Sequence, residues 1–368
     1  HRAREALDDL RAARAVAERR GDRAMTADLL LEEATALDWN QGFDESARLA
    51  EQARAIIEQL PTRRLDSRLL VTLGRSRCRE QRLPEAVDLL SRGALGAERD
   101  GDCETRVVAL LMLSSVLVLE GRLEDAEATF LEVITLCDKL EDRFHLGSAL
   151  VNRGILWTAR AAPERAMEDL RRAIQISREV GNPWMERAAT HNVAELLYWS
   201  GHDDEALALA RRSRTLEDRF VESTVPDDSL LLARIQASRG EAGEARSLLA
   251  WIAERFPVDR LAPTERALAQ AVSMVVSETP DPDPSAWDRL LEAAQAFPPE
   301  ELLEVLFLRA RSAIRNGRFE EAVQCAVQSR PRLDGCPIWR PRIAALIEEL
   351  DRLLAGAGSD WLLERAAR

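Results

Sequence analysis

Asn152 and Asn192 both sit in the middle of amphipathic stretches. Asparagine has poor helix propensity there, because its short amide competes for backbone groups, so another use should be sought for each. The amide both donates and accepts hydrogen bonds, which makes these two residues the first candidates for recognition chemistry. His191 and Glu195 stand four apart on one helical face and could form half a metal site, but no second pair of ligand spacing accompanies them. His145 has no ligand-spaced neighbour. Tyr198 and Trp199 follow on the same stretch and add two aromatic rings. Cys78, Cys103, Cys137, Cys325 and Cys336 are an odd number at wide spacing with no C-x-x-C, a pattern that suits a reducing, cytoplasmic compartment better than a disulfide framework. No phosphate-cradling G-x-x-x-x-G-K-[ST], no G-x-S-x-G and no G-x-G-x-x-G is present, and Gly240 and Gly243 belong to a helix–helix turn. No catalytic residues, metal or cofactor are expected, and the chain does not read as an enzyme.

The elements that must position these residues repeat along the chain. The clearest copy runs from Glu186 to Arg212: Ala189, Val193, Leu196 and Leu197 form one helical stripe, Ala206, Leu207, Leu209 and Ala210 a second, and Gly201 lies between. With the alanine opening the second helix as marker, the series is Ala6, Ala47, Ala86, Ala126, Ala166, Ala206, Ala245 and Ala322. Gly42, Gly121, Gly201, Gly240 and Gly317 stand five residues before their markers, and Thr35, Gly74, Ser114, Gly154, Ala194, Ala233 and Ala310 twelve before. Small side chains at fixed offsets let paired backbones approach closely. A two-helix unit this small cannot bury both stripes alone and must stack on its copies.

These residues resemble the tetratricopeptide repeat, with its small residue in the first helix, turn glycine and second-helix alanine; Gly154, Ala194, Gly201, Ala206, Gly240, Ala245, Gly317 and Ala322 match as they stand. The period, close to 40 in place of 34, resembles the longer repeats attached to bacterial signalling ATPases, transcription activators and protein kinases. The resemblance implies an all-α solenoid, a right-handed superhelix of about eight helical hairpins, that binds a protein or peptide in its concave groove. It also implies that the Asn152 and Asn192 amides grip a ligand backbone, the alternative being that each satisfies a neighbouring loop carbonyl. His191, Glu195, Tyr198 and Trp199 would supply specificity from the same face. Trp39 and Trp199 fall in slots near the groove, as ligand contacts or as lids over the inter-helix turn, while Trp157 falls in a core slot. The alternative function is a regulatory or sensor array of a larger signalling protein, a kinase, STAND ATPase or transcription regulator, that binds an effector or its own upstream domain.

The 51 basic and 64 acidic residues give a formal charge of −13, which argues against nucleic acid or an anionic membrane as direct partner. No apolar run is long enough to span a bilayer. Two regions are expected: a main array over 1–257, and 258–368 with a degenerate repeat, a proline-rich turn at 279–284, a final repeat and a capping helix. Residues 4–7 resemble 204–207, so the chain is expected to open on an orphan second helix, with further polypeptide upstream.

Overall fold

The computed structural model describes residues 2–39, 42–217, 225–278 and 285–355. Among them there are eighteen α-helices and no strand. The chain divides into two compact units, His1–Ala159 and Arg160–Arg368. The expected boundary at 257/258 therefore falls inside the second unit, where helices on both sides of it pack together. The proline-rich turn at 279–284 lies outside the described residues.

The first unit comprises α1 (Arg2–Arg20), α2 (Arg23–Trp39), α3 (Phe43–Ile57), α4 (Asp66–Arg79), α5 (Leu83–Asp100), α6 (Cys103–Leu119), α7 (Leu123–Leu140) and α8 (Arg143–Ala159). α1 packs on α2 through Leu7, which joins Leu30, Leu31 and Ala34 in one core cluster. Hairpins α2–α3, α4–α5 and α6–α7 then stack, with each first helix also touching the next first helix. The second unit comprises α9 (Pro163–Val180), α10 (Pro183–Trp199), α11 (Asp203–Glu217), α12 (Asp227–Ser238), α13 (Ala242–Arg255), α14 (Pro263–Val275), α15 (Ser285–Ala294), α16 (Pro299–Arg315), α17 (Phe319–Ser329) and α18 (Arg340–Ala355). α14 and α15 are the degenerate repeat expected in the long gap between Ala245 and Ala322.

The small-residue rule fails in α1, where the expected marker Ala6 is exposed and Leu7 is the buried residue, and from α3 onward it holds with one shift of register. Ala86, Ala126, Ala166, Ala206, Ala245 and Ala322 are wholly buried, but in α3 the buried residue is Ser46, and Ala47 is half-buried. The companion in α2 is Ala34, not Thr35. With that correction the markers 46, 86, 126, 166 and 206 advance in equal steps of 40. Close approach is strict at Gly74, where an added Cβ would lie 2.7 Å from Leu90 Cγ.

In four hairpins the turn takes a left-handed glycine five before the marker, Gly121, Gly201, Gly240 and Gly317. Gln81 and Ala161 occupy the same place in their hairpins and are held at φ 59° and 55° without being glycine. Gly42 has φ −80° and caps α3, so it is not the equivalent turn glycine. A second turn series joins successive hairpins. Gly21, Gly101, Glu141 and Gly181 are left-handed, and each is followed by a residue, Asp22, Asp102, Asp142 or Asn182, whose side chain accepts a backbone N–H at 3.0–3.1 Å to cap the next helix.

Candidate functional site

Within each unit, neighbouring first helices touch one another, and the 40-residue step gives them corresponding slots. Asn152 and Asn192 occupy one such slot, fourteen before the marker; in the corrected register Glu32 and Thr72 occupy it earlier in the chain. The slot three residues on, nearly one turn further, holds Thr35, Arg75, Ser115, Ile155, Glu195 and Arg234.

In the first unit these slots line a cleft of about 220 Å³ between α2, α4 and α6, walled by Glu32, Thr35, Arg68, Thr72, Arg75 and Thr105 over an apolar floor of Leu31, Val71 and Val108. Rungs between neighbouring first helices fix its walls. Arg68 pairs with Asp28 and Glu32. Arg75 Nη2 donates to Thr35 Oγ1 at 2.7 Å, and its Nε lies 3.4 Å from Asp38. Burial presses the Arg75 pKa downward, with Arg79 and Arg68 adding repulsion against the pull of Asp38. Further along, Asn152 Nδ2 donates to Ser115 Oγ at 3.0 Å. That partner is a hydroxyl on the preceding first helix, not a loop carbonyl, and Asn152 itself stays half-buried. Ile155 is 52% exposed beside it. Trp157 packs in the core at 6% exposure.

In the second unit the same slots are engaged from within. His191 Nδ1 donates to Asp228 Oδ1 at 2.7 Å, while Arg187 Nε and Ser213 Oγ also donate to that fully buried carboxylate, at 2.8 and 2.7 Å. Burial alone would lower the His191 pKa, but the Asp228 bond and the charges of Glu195, Asp228 and Asp227 raise it. Burial opposes ionisation of Asp228, but its bond to His191 and the charges of His191 and Arg187 hold its pKa below the ordinary value. Arg234 Nη1 donates to Glu195 at 2.7 Å and its Nε to Glu304 at 2.6 Å.

Two expectations need correction. Tyr198 and Trp199 do not line an open groove: they are 0% and 5% exposed. Trp199 Nε1 donates to Glu304 of α16 at 3.0 Å, and the Tyr198 ring lies under the guanidiniums of Arg234 and Arg342, 5.4 and 4.4 Å away. The sequence spacing carried no sign that α16 and α18 cover both residues. Asn192 is half-buried and makes no side-chain hydrogen bond among the described residues. The Trp39 side chain lies outside the described residues. His191 and Glu195 bind Asp228 and Arg234, and among the described residues no group of three or more His, Cys, Asp or Glu is placed to hold a metal ion.

No family model matches the chain. It is 29% identical over 250 residues to the regulatory protein AfsR of Streptomyces griseus, a match covering 65% of this chain and 24% of AfsR. This chain thus spans about a quarter of that relative's length. A signal-transduction ATPase with a tetratricopeptide repeat sensor from Pyrococcus horikoshii superposes with a TM-score of 0.60 at 14% identity, over 94% of this chain and 51% of that one. The fold is of the tetratricopeptide-repeat type. The apo quorum sensor NprR of B. thuringiensis gives a TM-score of 0.60 at 14% identity, over 91% and 96% of the two chains. The Rap conjugation gene regulator of plasmid pLS20, solved with the Phr* peptide, gives 0.54 at 15% identity, over 81% and 77%. No helix among the described residues is long and apolar enough to cross a membrane.

The tetratricopeptide-type register also shows what sequence reasoning missed. Glu32 and Thr35 are cleft residues that the 40-residue step finds once the first repeat is set at Ser46, and Thr72 and Arg75 follow in the same slots from Ala86. Arg342 and Trp339 carry no periodic mark and could not have been found that way.

Proposed function

We propose that this chain is a recognition module, without a catalytic centre or cofactor of its own, that binds an extended protein or peptide segment along the inner strip of its first helices. One observation carries the reading: the slot that holds Asn152 and Asn192 holds Glu32 and Thr72 in earlier repeats, and those two residues line the first-unit cleft. The likeness of fold to a Rap regulator solved with a peptide supports it. Side-by-side helices lie about 8 to 10 Å apart, and an extended chain advances about 3.3 Å per residue, so polar contacts from successive repeats meet a peptide roughly every third residue. The charge of −13 makes a nucleic acid or an anionic membrane an unfavourable direct partner, and five free cysteines suit the reducing cytoplasm.

Peptides selected on the purified chain from a random library test the reading, with affinity measured by calorimetry. Each polar contact contributes on the order of 0.5 to 1.5 kcal/mol, so Thr72→Ala with Asn152→Ala, both in the first unit, should weaken the selected peptide roughly ten- to a hundredfold, with helicity unchanged. Unaltered affinity in the folded double variant would place binding elsewhere. A second reading, that the strip reports an effector to other parts of a longer regulatory polypeptide, is favoured by the match to only 24% of AfsR. It predicts that the selected peptide changes the activity of the longer protein, whereas a plain adaptor would only be occupied.

A further inference from the structure

In the second unit the C-terminal end of α10 already has an occupant. The 3-10 turn Pro337–Trp339 and the first turn of α18 lie across it. Trp339 is fully buried, with ring centroids 6.5 Å from Tyr198, 6.5 Å from Trp199 and 5.9 Å from Phe307 of α16. Arg342 Nε donates to the Tyr198 carbonyl at 2.6 Å, its guanidinium pairs with Asp203, and it also lies over the Tyr198 and Phe307 rings. A main-chain carbonyl, an acid and an aromatic shelf are the groups with which a helical face would hold an incoming segment. Here they hold the chain's own Arg342, 144 and 139 positions from Tyr198 and Asp203 in sequence.

The contact is also imperfectly satisfied. Tyr198 Oη, Trp339 Nε1 and Glu301 Oε2 are buried without hydrogen-bond partners among the described residues. Glu300, which shares a hydrogen bond with Cys336, has its pKa raised by burial. A contact that buries orphaned polar atoms holds less firmly than apolar packing of the same area. Elsewhere in the unit α10 and α11 meet through buried alanine and leucine, among them Ala189, Ala194, Leu197, Ala206 and Ala210.

We infer that Cys336–Arg342 is an internal occupant of a second recognition face, formed by α10 and α16, which when vacated takes a partner segment presenting an indole followed three residues later by a guanidinium. The inference extends the reading of the inner strip as a recognition surface, and it concerns helices other than those of the first-unit cleft, so the two can fail separately.

The test uses the complete chain and a fluorescein-labelled synthetic peptide of residues 334–346. In Trp339→Ala with Arg342→Ala, amide exchange in α10 should quicken at least tenfold, and the peptide should bind at least tenfold more tightly than to the unaltered chain. A control peptide with alanine in place of the tryptophan and the second arginine should not bind. If the double variant loses helicity, Asp203→Arg serves in its place, since it repels Arg342 from a position that is 25% exposed, and adding Arg342→Asp to it should restore slow exchange. A folded variant with unchanged α10 exchange, or an opened one that ignores the peptide, overturns the inference. So does loss of helicity in Asp203→Arg as well, because an occupant able to leave cannot be indispensable to the fold.

Discussion

Asp228 shows how much of the second unit hangs on single charged groups. It is wholly buried and accepts from Arg187, His191 and Ser213 on two other helices. Removing one partner of a buried, hydrogen-bonded charge pair costs about 3 to 5 kcal/mol, because the other partners are left uncompensated. Asp228→Ala should therefore lower the stability of this unit by about 3 kcal/mol or more, measured by urea denaturation. The pH dependence has two limbs. The raised pKa of His191 gives a contribution complete below about 6.5, the ordinary histidine value, and lost as pH rises through the higher folded value. The lowered pKa of Asp228 gives one present above about 3.9, the ordinary aspartate value, and lost as pH falls through the lower folded value. Burial, with the Glu195 charge, pushes Glu301 up to about 8, so its protonated form adds stability that drains away as pH climbs toward that value. The urea midpoint should accordingly decline as pH rises from about 5 through 8, first through Glu301 and then also through His191, and decline again in strong acid. A midpoint flat from pH 6 to 9 would contradict these assignments.

Among the elements, the turns separate what residue type requires from what packing imposes. Gln81 takes the left-handed conformation that Gly121 and Gly201 take in their hairpins, although a side chain there costs about 1 to 2 kcal/mol. The stacking of α4 on α5 and α6 holds it in place. Gln81→Gly should thus raise stability by about 0.5 to 1 kcal/mol, after the extra entropy of glycine in the unfolded chain is offset. Gly121→Ala, in the same unit and with open space around the added Cβ, should lower it by about 1 kcal/mol. Thermal melts of the two variants should shift in opposite directions. The second turn series is equally legible as Gly-Asp or its equivalent at 21–22, 101–102, 141–142 and 181–182, in phase with the alanine markers.

At the scale of the whole molecule, each of the two units is held together internally in its own way. In the first, helices pack with their sequence neighbours or with the next first helix. In the second, Trp199–Glu304 and Arg342–Tyr198 join residues 105 and 144 positions apart. Nearest-neighbour arrays lose structure progressively, whereas long-range closure couples all the helices it spans. Native-state hydrogen exchange should show graded protection across α2 to α8 and nearly uniform protection from α10 to α18. Arg342→Ala should make the second unit graded as well.

The repeat, its period and the helical hairpins were all determined by the sequence, because each depends on a residue meeting a neighbour at a fixed, short offset. Even the misplacement of Ala47 was a slip of one residue within a correct period. The sequence did not determine which part of the strip stays open. Tyr198 and Trp199 have the same spacing whether they face solvent or Trp339. Their burial depends on a contact made across more than a hundred residues by side chains that belong to no periodic pattern, and only the folded chain brings those side chains together.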